Sequence, residues 1–231
     1  MPNTLTKTLA LLSTVICMAA ANAGPAVVES RFEVDAEDWT MHNLLSPGGG
    51  GEAPQYVPAS QRIASPDLHP WNVFSAPAKF LGDMAGYAGG TLTFELSDTE
   101  RDQNADEIWP TLILRSGGTY LGWFGGAPET ALTPYTATLS ASNTWRKLTG
   151  LNATGPVFGP TSESDFVAVL GALDALYINA DWKTTGGAGG PNDFAELDNV
   201  RLSAAVPEPN RMLLLLAGLG VLGVAARRRA S

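Results

Sequence analysis

The chain has 231 residues, of which 45% are hydrophobic and 16% are charged, and this length suits one well-buried domain better than two. Between Gly24 and Val206, 22 acidic residues stand against 9 basic ones, giving a net charge of −13, compared with −9 for the whole chain. Such an acidic body repels nucleic acid and anionic lipid, so neither is expected as a partner, whereas divalent cations, neutral polysaccharides and basic proteins are compatible with it.

The first segment is predicted to be a signal peptide. Lys7 precedes the short apolar run TLALLSTVICMAA, and the small residues ANA follow it, the order that export and signal peptidase require. We expect cleavage between Ala23 and Gly24, with residues 1–23 removed; a buried first strand or helix is the alternative. The only cysteine, Cys17, lies in this segment, so we expect neither disulfides nor cysteine metal clusters in the exported chain.

The body, residues 24–205, is predicted to be an all-β domain. Apolar and polar residues alternate in several short segments, as at Leu92, Phe94 and Leu96, and glycines and prolines separate the segments. Eight or nine short strands favour a two-sheet jelly-roll sandwich. The sequence has no repeat of fixed length, so we do not expect a propeller or solenoid. The predicted strands are ESRFEV, WNVFSAPAKFLG, GGTLTFELS, PTLILRS, TYLGWFG, YTATLS, TWRKLT, ALYINADW and AELDNVRLSA.

One short helix is predicted late in the body. Ser162 and Asp165 form a potential capping pair at its start. Phe166, Val169 and Leu170 follow at the spacing that places apolar side chains on one helical face. We therefore expect a helix that packs this face against the sheets.

The first and last predicted strands carry the residues that best fit a metal site. Such strands commonly lie side by side in jelly rolls, which would bring Glu33 and Asp35 close to Asp198. Carboxylates and backbone carbonyls are the oxygen ligands that Ca²⁺ prefers, so we predict a structural Ca²⁺ site formed by these three residues. The alternative is that Asp198 and Asn199 only satisfy backbone groups. The acidic loop 102–107 is a second candidate, with a solvated loop as its alternative.

The stretch GGTYLGWFGG is predicted to present aromatic rings for sugar binding. Glycines flank the strand and leave its rings uncovered, and alternation places Tyr120 and Phe124 on the face opposite Trp123. We predict that Trp123, helped by Trp109 or Tyr135, stacks on a neutral polysaccharide. The alternative is that all of these rings belong to the core, the usual position of aromatic residues in a sandwich.

The sequence contains no recognisable catalytic motif. It has neither an H-E-x-x-H zinc motif nor a G-x-S-x-G nucleophile elbow. Asp102 with Asp106 or Glu107 could form an acid pair for glycoside hydrolysis, but these residues share one polar loop in which both carboxylates would ionise freely. We therefore predict a non-enzymatic protein, with a glycosidase or lyase as the less favoured alternative.

The C-terminal segment combines a short apolar run with a basic cluster. Residues 212–226 would form a helix of roughly 22 Å, shorter than the ~30 Å hydrocarbon core of a bilayer. Arg227, Arg228 and Arg229 would hold its end on the cytoplasmic side of the inner membrane. The segment is thus predicted to be a weak, transient membrane anchor.

The motif at Pro207, Glu208 and Pro209, followed by the apolar run and the arginines, resembles the PEP-CTERM sorting signal of exported bacterial proteins. The resemblance covers residues 206–231. It implies that an exosortase-type enzyme cuts near the tripeptide and releases or transfers the body to the cell surface or extracellular matrix. A permanent single-span tail anchor is the alternative.

A second resemblance concerns the body. WNVFSAPAKFLGDMAGYAGGTLTFELSD, LILRSGGTYLGWF, NTWRKL, ESDFVAVLGALDALYINADW and FAELDNVRL succeed one another as in the laminin B domain, also called laminin domain IV. The resemblance implies a jelly roll similar to galactose-binding and carbohydrate-binding modules, without enzymatic activity. Two features differ from animal laminins: the cysteine-rich flanking modules are missing, and SDTERDQNADEIWP is an acidic insertion.

Together these patterns predict an exported protein of the cell surface or extracellular matrix. The favoured role is a binding module for exopolysaccharide; a purely structural matrix component and a polysaccharide-acting enzyme are the alternatives. The expected partners are signal peptidase, an exosortase-type enzyme, exopolysaccharide and, transiently, the inner membrane.

Overall fold

Two antiparallel sheets and one α-helix form the part of the chain that the structure describes. The computed structural model describes residues 25–44, 51–69, 71–100, 109–152, 155–182 and 193–205. The predicted signal peptide, the sorting segment and the acidic loop 102–107 lie outside these residues. The strands and the helix are β1 (Val28–Ser30), β2 (Thr40–Asn43), β3 (Gln55–Val57), β4 (Arg62–Pro66), β5 (Asn72–Ser75), β6 (Thr91–Asp98), β7 (Leu112–Ser116), β8 (Thr119–Trp123), β9 (Thr133–Thr138), β10 (Trp145–Asn152), β11 (Gly155–Pro160), α1 (Glu163–Leu170), β12 (Ala175–Asn179) and β13 (Phe194–Ser203).

The two sheets confirm the predicted all-β jelly-roll sandwich. The first sheet has the order β3-β4-β13-β6-β9, and β1 also pairs with β13. The second sheet has the order β11-β10-β8-β7-β12-β5-β2. The neighbours β1 and β13 are the first and last strands, and they pair antiparallel, with Val28 opposite Leu202 and Ser30 opposite Val200, as the sequence predicted.

The main core lies between the sheets and follows the alternation in the strands. On β6, Leu92, Phe94 and Leu96 are all buried, and Leu112 and Leu114 on β7 belong to the same cluster. A second, smaller apolar cluster lies on the other side of the second sheet and consists of Trp71, Val73, Ile113, Ala175 and Tyr177. Residues next to each other in β7 therefore contribute to different clusters, as the period of two requires.

The predicted helix is confirmed, together with its cap. The Ser162 side chain accepts a hydrogen bond from the Asp165 amide, and the Asp165 carboxylate accepts one from the Ser162 amide, which completes a capping box. Lys147 donates to Asp165 at 2.6 Å, and this hydrogen bond is the main reason that the pKa of Asp165 is lowered to about 2. The helix packs Phe166 edge-on against Trp145, with ring centroids 4.9 Å apart.

The structure contains four strands that the sequence patterns did not predict: β2, β3, β4 and β11. Strand β11, GPVFGP, has glycine and proline at both ends, the composition of a turn. The predicted first strand ESRFEV ends early, at Ser30, because Phe32 has a φ of 53° in the left-handed region. The four unpredicted segments become strands through their partners. Pairing of β2 with β5, of β3 with β4, of β4 with β13 and of β11 with β10 satisfies their backbone groups.

Candidate functional site

A polar cleft opens where two strands share one edge of β13. Strand β4 pairs with Phe194–Leu197, and β1 pairs with Val200–Leu202, so neither strand pairs with the two residues between. The cavity beside this gap has a volume of about 490 Å³. We call it the polar cleft. Among its lining residues are Glu29, Arg31, Glu33, Ser60, Gln61, Asp198, Asn199 and Arg201.

A β-bulge in β13 forms the floor of the polar cleft. The register of β13 against β6 shifts between Asp198 and Arg201. Asn199, with a φ of 52°, takes the left-handed conformation that asparagine tolerates better than most residues. Its side-chain amide donates to the Glu95 carboxylate at 3.0 Å, and its backbone N–H donates to the Asp198 carboxylate at 2.7 Å. These bonds hold the bulge in one conformation.

The electrostatics of the polar cleft combine both signs of charge. Burial raises the pKa of Asp198, and the neighbouring Glu95 raises it further, while the Asn199 N–H and Arg62 act in the opposite direction. Arg31 forms an ion pair with Glu29 at 3.1 Å. The cleft therefore offers carboxylate acceptors and guanidinium donors side by side, with no large apolar surface.

The structure brings together two of the three residues predicted to bind Ca²⁺. Glu33 and Asp198 both line the polar cleft, whereas Asp35 does not; its carboxylate accepts a hydrogen bond from the Glu37 amide at 2.8 Å. Among the described residues, no group of three or more Asp, Glu, His or Cys side chains is arranged to hold a metal ion. The predicted set is thus not assembled as a three-carboxylate cluster, and Ca²⁺ binding stays a prediction.

The predicted aromatic platform is not exposed, which corrects the sequence interpretation for two of its residues. Trp123 is 8% exposed and Tyr135 is 7% exposed, and both belong to the main core. Phe94 packs against both: it stacks on Tyr135 with centroids 5.2 Å apart and meets Trp123 edge-on at 6.5 Å, while Trp123 and Tyr135 meet edge-on at 6.1 Å. Rings enclosed in this way present no free face to a sugar.

Trp109 lies apart from this aromatic trio. It is half-buried and packs against Trp71, with ring centroids 4.1 Å apart, beside the smaller apolar cluster. The predicted alternation in β8 is correct, because Tyr120 also packs against that smaller cluster while Leu121 and Trp123 join the main core. The sequence interpretation was therefore wrong only about which face of β8 is exposed, because the first sheet covers the face that carries Trp123.

Buried aspartates meet at one end of the sandwich, a feature that the sequence patterns did not reveal. Asp98, Asp181 and Asp193 are all buried, and the last two raise the pKa of the first through their charge. Asp98 ends β6 opposite Ala195 of β13, which places it beside Asp193. Burial is the largest cause of the raised pKa of Asp98, about 8. We call these three residues the acidic end.

No local signal in the sequence identifies the acidic end. Each aspartate follows or precedes a strand, a common position for a solvated turn residue. Only the antiparallel pairing of β6 with β13, and the packing of the second sheet against them, brings Asp98, Asp181 and Asp193 together. Of the residues that line the polar cleft, the sequence analysis singled out Glu33 and Asp198 as metal ligands. It did not identify the arginines and amides of the cleft.

The fold and the polar cleft define a jelly-roll module, and comparison with known families names it. The family model for Laminin B (Domain IV) matches residues 73–214, well over half of the chain. The chain belongs to this family. A comparison with curated proteins found no significant relative.

A solved laminin structure shows the same fold. The chain is similar to the L4b domain of human laminin α2, with a TM-score of 0.60 and 16% sequence identity, over 80% of this chain and 100% of that one. It also has a weak likeness to an exo-β-agarase, with a TM-score of 0.39 and 11% identity, over 82% of this chain and 24% of the agarase. The laminin likeness, at this low identity, concerns the fold alone.

The PEP-CTERM protein-sorting motif matches residues 205–229. The chain is therefore an exported extracellular protein, directed to membrane-anchored sorting and processed by an exosortase-type enzyme. In the described part of the chain, no helix is both long and apolar enough to cross a membrane. The predicted anchor, residues 212–226, lies outside that part, as do Ala23, Gly24, Pro207, Glu208, Pro209 and the three arginines 227–229.

The raised pKa of Asp98 predicts that stability falls as pH rises. The pKa of Asp98 in the folded protein is about 8, so Asp98 keeps its proton up to that pH, whereas in the unfolded chain it releases the proton near 3.8, the ordinary pKa of an aspartate. Unfolding between these values therefore releases a proton, so stability is greatest at the acidic side of this window and declines through it. In the wild type, the free energy of unfolding should fall by on the order of 1 kcal/mol per pH unit within this window. The Asp98→Asn variant should not show this decrease.

The measurement is the free energy of unfolding in urea at several pH values between about 4 and 8. Asp38→Asn is the matched control, because Asp38 is exposed and has the positive φ that asparagine also tolerates. Equal pH slopes for the wild type and Asp98→Asn would show that Asp98 holds no such proton.

Proposed function

We propose that this exported protein is a non-enzymatic component of the cell surface or extracellular matrix, whose domain binds neutral polysaccharide in the polar cleft. The single observation that carries the proposal is the lining of this cleft. It combines the carboxylates of Glu33 and Asp198 with the guanidinium of Arg31 and the amides of Gln61 and Asn199. Membership of the laminin B family and the sorting signal support an extracellular location for the domain.

The chemistry of the cleft favours a hydroxyl-rich, uncharged ligand. Sugar hydroxyls donate hydrogen bonds to carboxylates and accept them from amides and guanidinium groups. Three carboxylates, Glu29, Glu33 and Asp198, against two arginines would disfavour an anionic polymer. Hydrogen bonds to charged groups contribute more than neutral ones, which partly replaces the aromatic stacking that the buried rings do not supply.

The non-enzymatic role rests on the family and on the sequence. The carboxylates that could have formed a hydrolytic pair, Asp102 with Asp106 or Glu107, lie outside the described residues. The sequence lacks a nucleophile elbow and a zinc motif. Charged groups of the cleft form ion pairs with each other, as Arg31 does with Glu29.

A purely structural matrix component is the second candidate. The burial of Trp123 and Tyr135 favours it, because sugar-binding modules commonly present aromatic faces and these two rings are used in the core instead. In this candidate the polar cleft is an ordinary solvated gap between β4 and β1. The retention experiment below separates the two candidates.

We expect purified protein to be retained on neutral polysaccharide extracted from the producing organism. Glu33→Ala should lower the affinity by about threefold to tenfold, because it removes one charged acceptor from the cleft. Asp35→Ala is the matched control: it removes an equally exposed carboxylate two residues away that does not line the cleft. If the wild type is not retained, the structural candidate takes the place of the binding module; equal loss in both variants would exclude the polar cleft as the site.

We also propose that the mature protein runs from Gly24 to near Pro207, after removal of a signal peptide, residues 1–23, and of the sorting segment, residues 206–231. A marginal apolar run stopped by arginines suits an anchor that is held briefly and then cut. Intact-mass measurement of the protein recovered from the cell surface and medium checks this. A species that still carries residues 212–226 would indicate a permanent tail anchor.

We propose modest stabilisation of the domain by Ca²⁺ bound in the polar cleft, with Glu33 and Asp198 as its carboxylate ligands. Binding to the folded state alone raises the melting temperature by linkage. Added Ca²⁺ should therefore raise the melting temperature relative to EDTA in the wild type, and by less in Asp198→Asn. An unchanged melting temperature of the wild type in the two conditions would exclude the site.

A further inference from the structure

A second surface, on the outer side of the second sheet, combines aromatic rings with an arginine. Strand β10 lies between β8 and β11, with Arg146 opposite Gly122 on one side and Pro160 on the other. The Arg146 guanidinium lies 4.4 Å from the ring centroid of Phe124, and Phe158 meets Phe124 edge-on at 5.2 Å. Phe124 and Phe158 are half-buried and Arg146 is exposed. We call these three residues the arginine–aromatic surface.

The backbone beneath the arginine–aromatic surface is shaped to accept the Phe158 ring. At Gly122, an added Cβ atom would lie 3.2 Å from the Phe158 ring and 2.9 Å from Pro110, so a larger residue would displace both. Glycine at this position leaves room for the Phe158 ring next to β8. Both phenylalanines are therefore held in place by packing, while part of each ring faces solvent.

A cavity of about 550 Å³ adjoins the arginine–aromatic surface. It is lined by residues 141–143 before β10, by Arg146, and by Phe158 and the end of β11, and none of the described residues that line it is acidic. Glu163, at the start of α1, accepts a hydrogen bond from the Ala141 amide at 2.8 Å and so is already engaged. In a strongly acidic body this cavity has only a cation on its wall.

The guanidinium of Arg146 lacks an acidic partner within the described part of the chain. Five other basic side chains form ion pairs there: Arg31, Arg62, Lys79, Arg115 and Lys147. Arg146 instead rests on Phe124 and lines the cavity, where its guanidinium is available to an incoming anion. Salt limits the reach of the distant carboxylates to about 8 Å at physiological ionic strength, so the local cation decides what binds.

We propose that the arginine–aromatic surface binds an acidic polysaccharide through the carboxylate of a uronic acid residue. Arg146 pairs with the carboxylate in the bidentate geometry that a planar guanidinium allows. The ring of Phe158 packs against the apolar C–H face of the same sugar, as aromatic side chains do in sites that bury a ligand beside few polar groups. This inference goes beyond the proposed function, since it concerns another face and a ligand of opposite character.

The test measures the affinity of the purified full-length protein for polygalacturonate and for its methyl ester, which has the same sugar without the charge. The wild type should bind the acid and not the ester. Arg146→Ala should lower the affinity for the acid by about tenfold or more, and Arg146→Lys should restore only part of it, because lysine lacks the planar fork. Phe158→Ala should weaken binding as well.

Lys147→Ala is the matched control. It changes the net charge by the same amount one residue away, but Lys147 pairs with Asp165 on the face that packs against α1, so binding should stay unchanged. Melting temperatures of all variants establish that each is folded.

Three outcomes would overturn the inference. Equal binding of acid and ester would exclude recognition of the carboxylate. Undiminished binding by folded Arg146→Ala would place the site elsewhere. Full competition by polyglutamate would assign the surface to an acidic peptide. Loss of neutral-polysaccharide retention in Glu33→Ala concerns only the polar cleft, so the two proposals fail independently.

Discussion

Strand β13 is the constraint on which the first sheet depends. Its ten residues pair with β6 on one edge and with two short strands, β4 and β1, on the other. Neither short strand could form alone, because three to five residues supply too few hydrogen bonds and too little buried surface. The bulge at Asp198–Asn199 divides the shared edge, and the polar cleft is the space that this division leaves. The same strand thus closes the sandwich and creates its candidate site.

The charge of the domain has different consequences at its different faces. At the acidic end, burial makes a carboxylate prefer its protonated form, so Asp98 behaves as a neutral hydrogen-bonding group over a wide range of pH. In the polar cleft, burial also raises the pKa of Asp198, but Arg62 and the Asn199 N–H act in the opposite direction. On the arginine–aromatic surface, Arg146 is a local cation, and none of the described residues that line the adjoining cavity is acidic. The net charge of −13 therefore does not predict the local electrostatics of any of these three surfaces.

The aromatic residues show how the core determines what is left for binding. Trp123, Tyr135 and Phe94 pack together between the sheets, because alternation directs them inward from facing strands. Phe124 follows the end of β8 and does not lie on this inner face. Phe158 belongs to β11, an edge strand that pairs with β10 on one side only. The rings available to a ligand are thus those at strand ends and edges, and neither phenylalanine is recognisable from composition.

The sequence by itself determined the features that depend on residues close together in the chain. The capping box of Ser162 and Asp165 depends on residues three apart, and the alternation of Leu92, Phe94 and Leu96 depends on the period of a strand, so both were predictable. The sorting motif is likewise a continuous segment. Tertiary structure decided which face of β8 is covered, which glycine- and proline-rich segments become strands, and which distant aspartates meet. Those outcomes depend on pairing between residues far apart in the chain, such as Ser97 with Glu196 and Val28 with Leu202, and local patterns carry no information about such pairing.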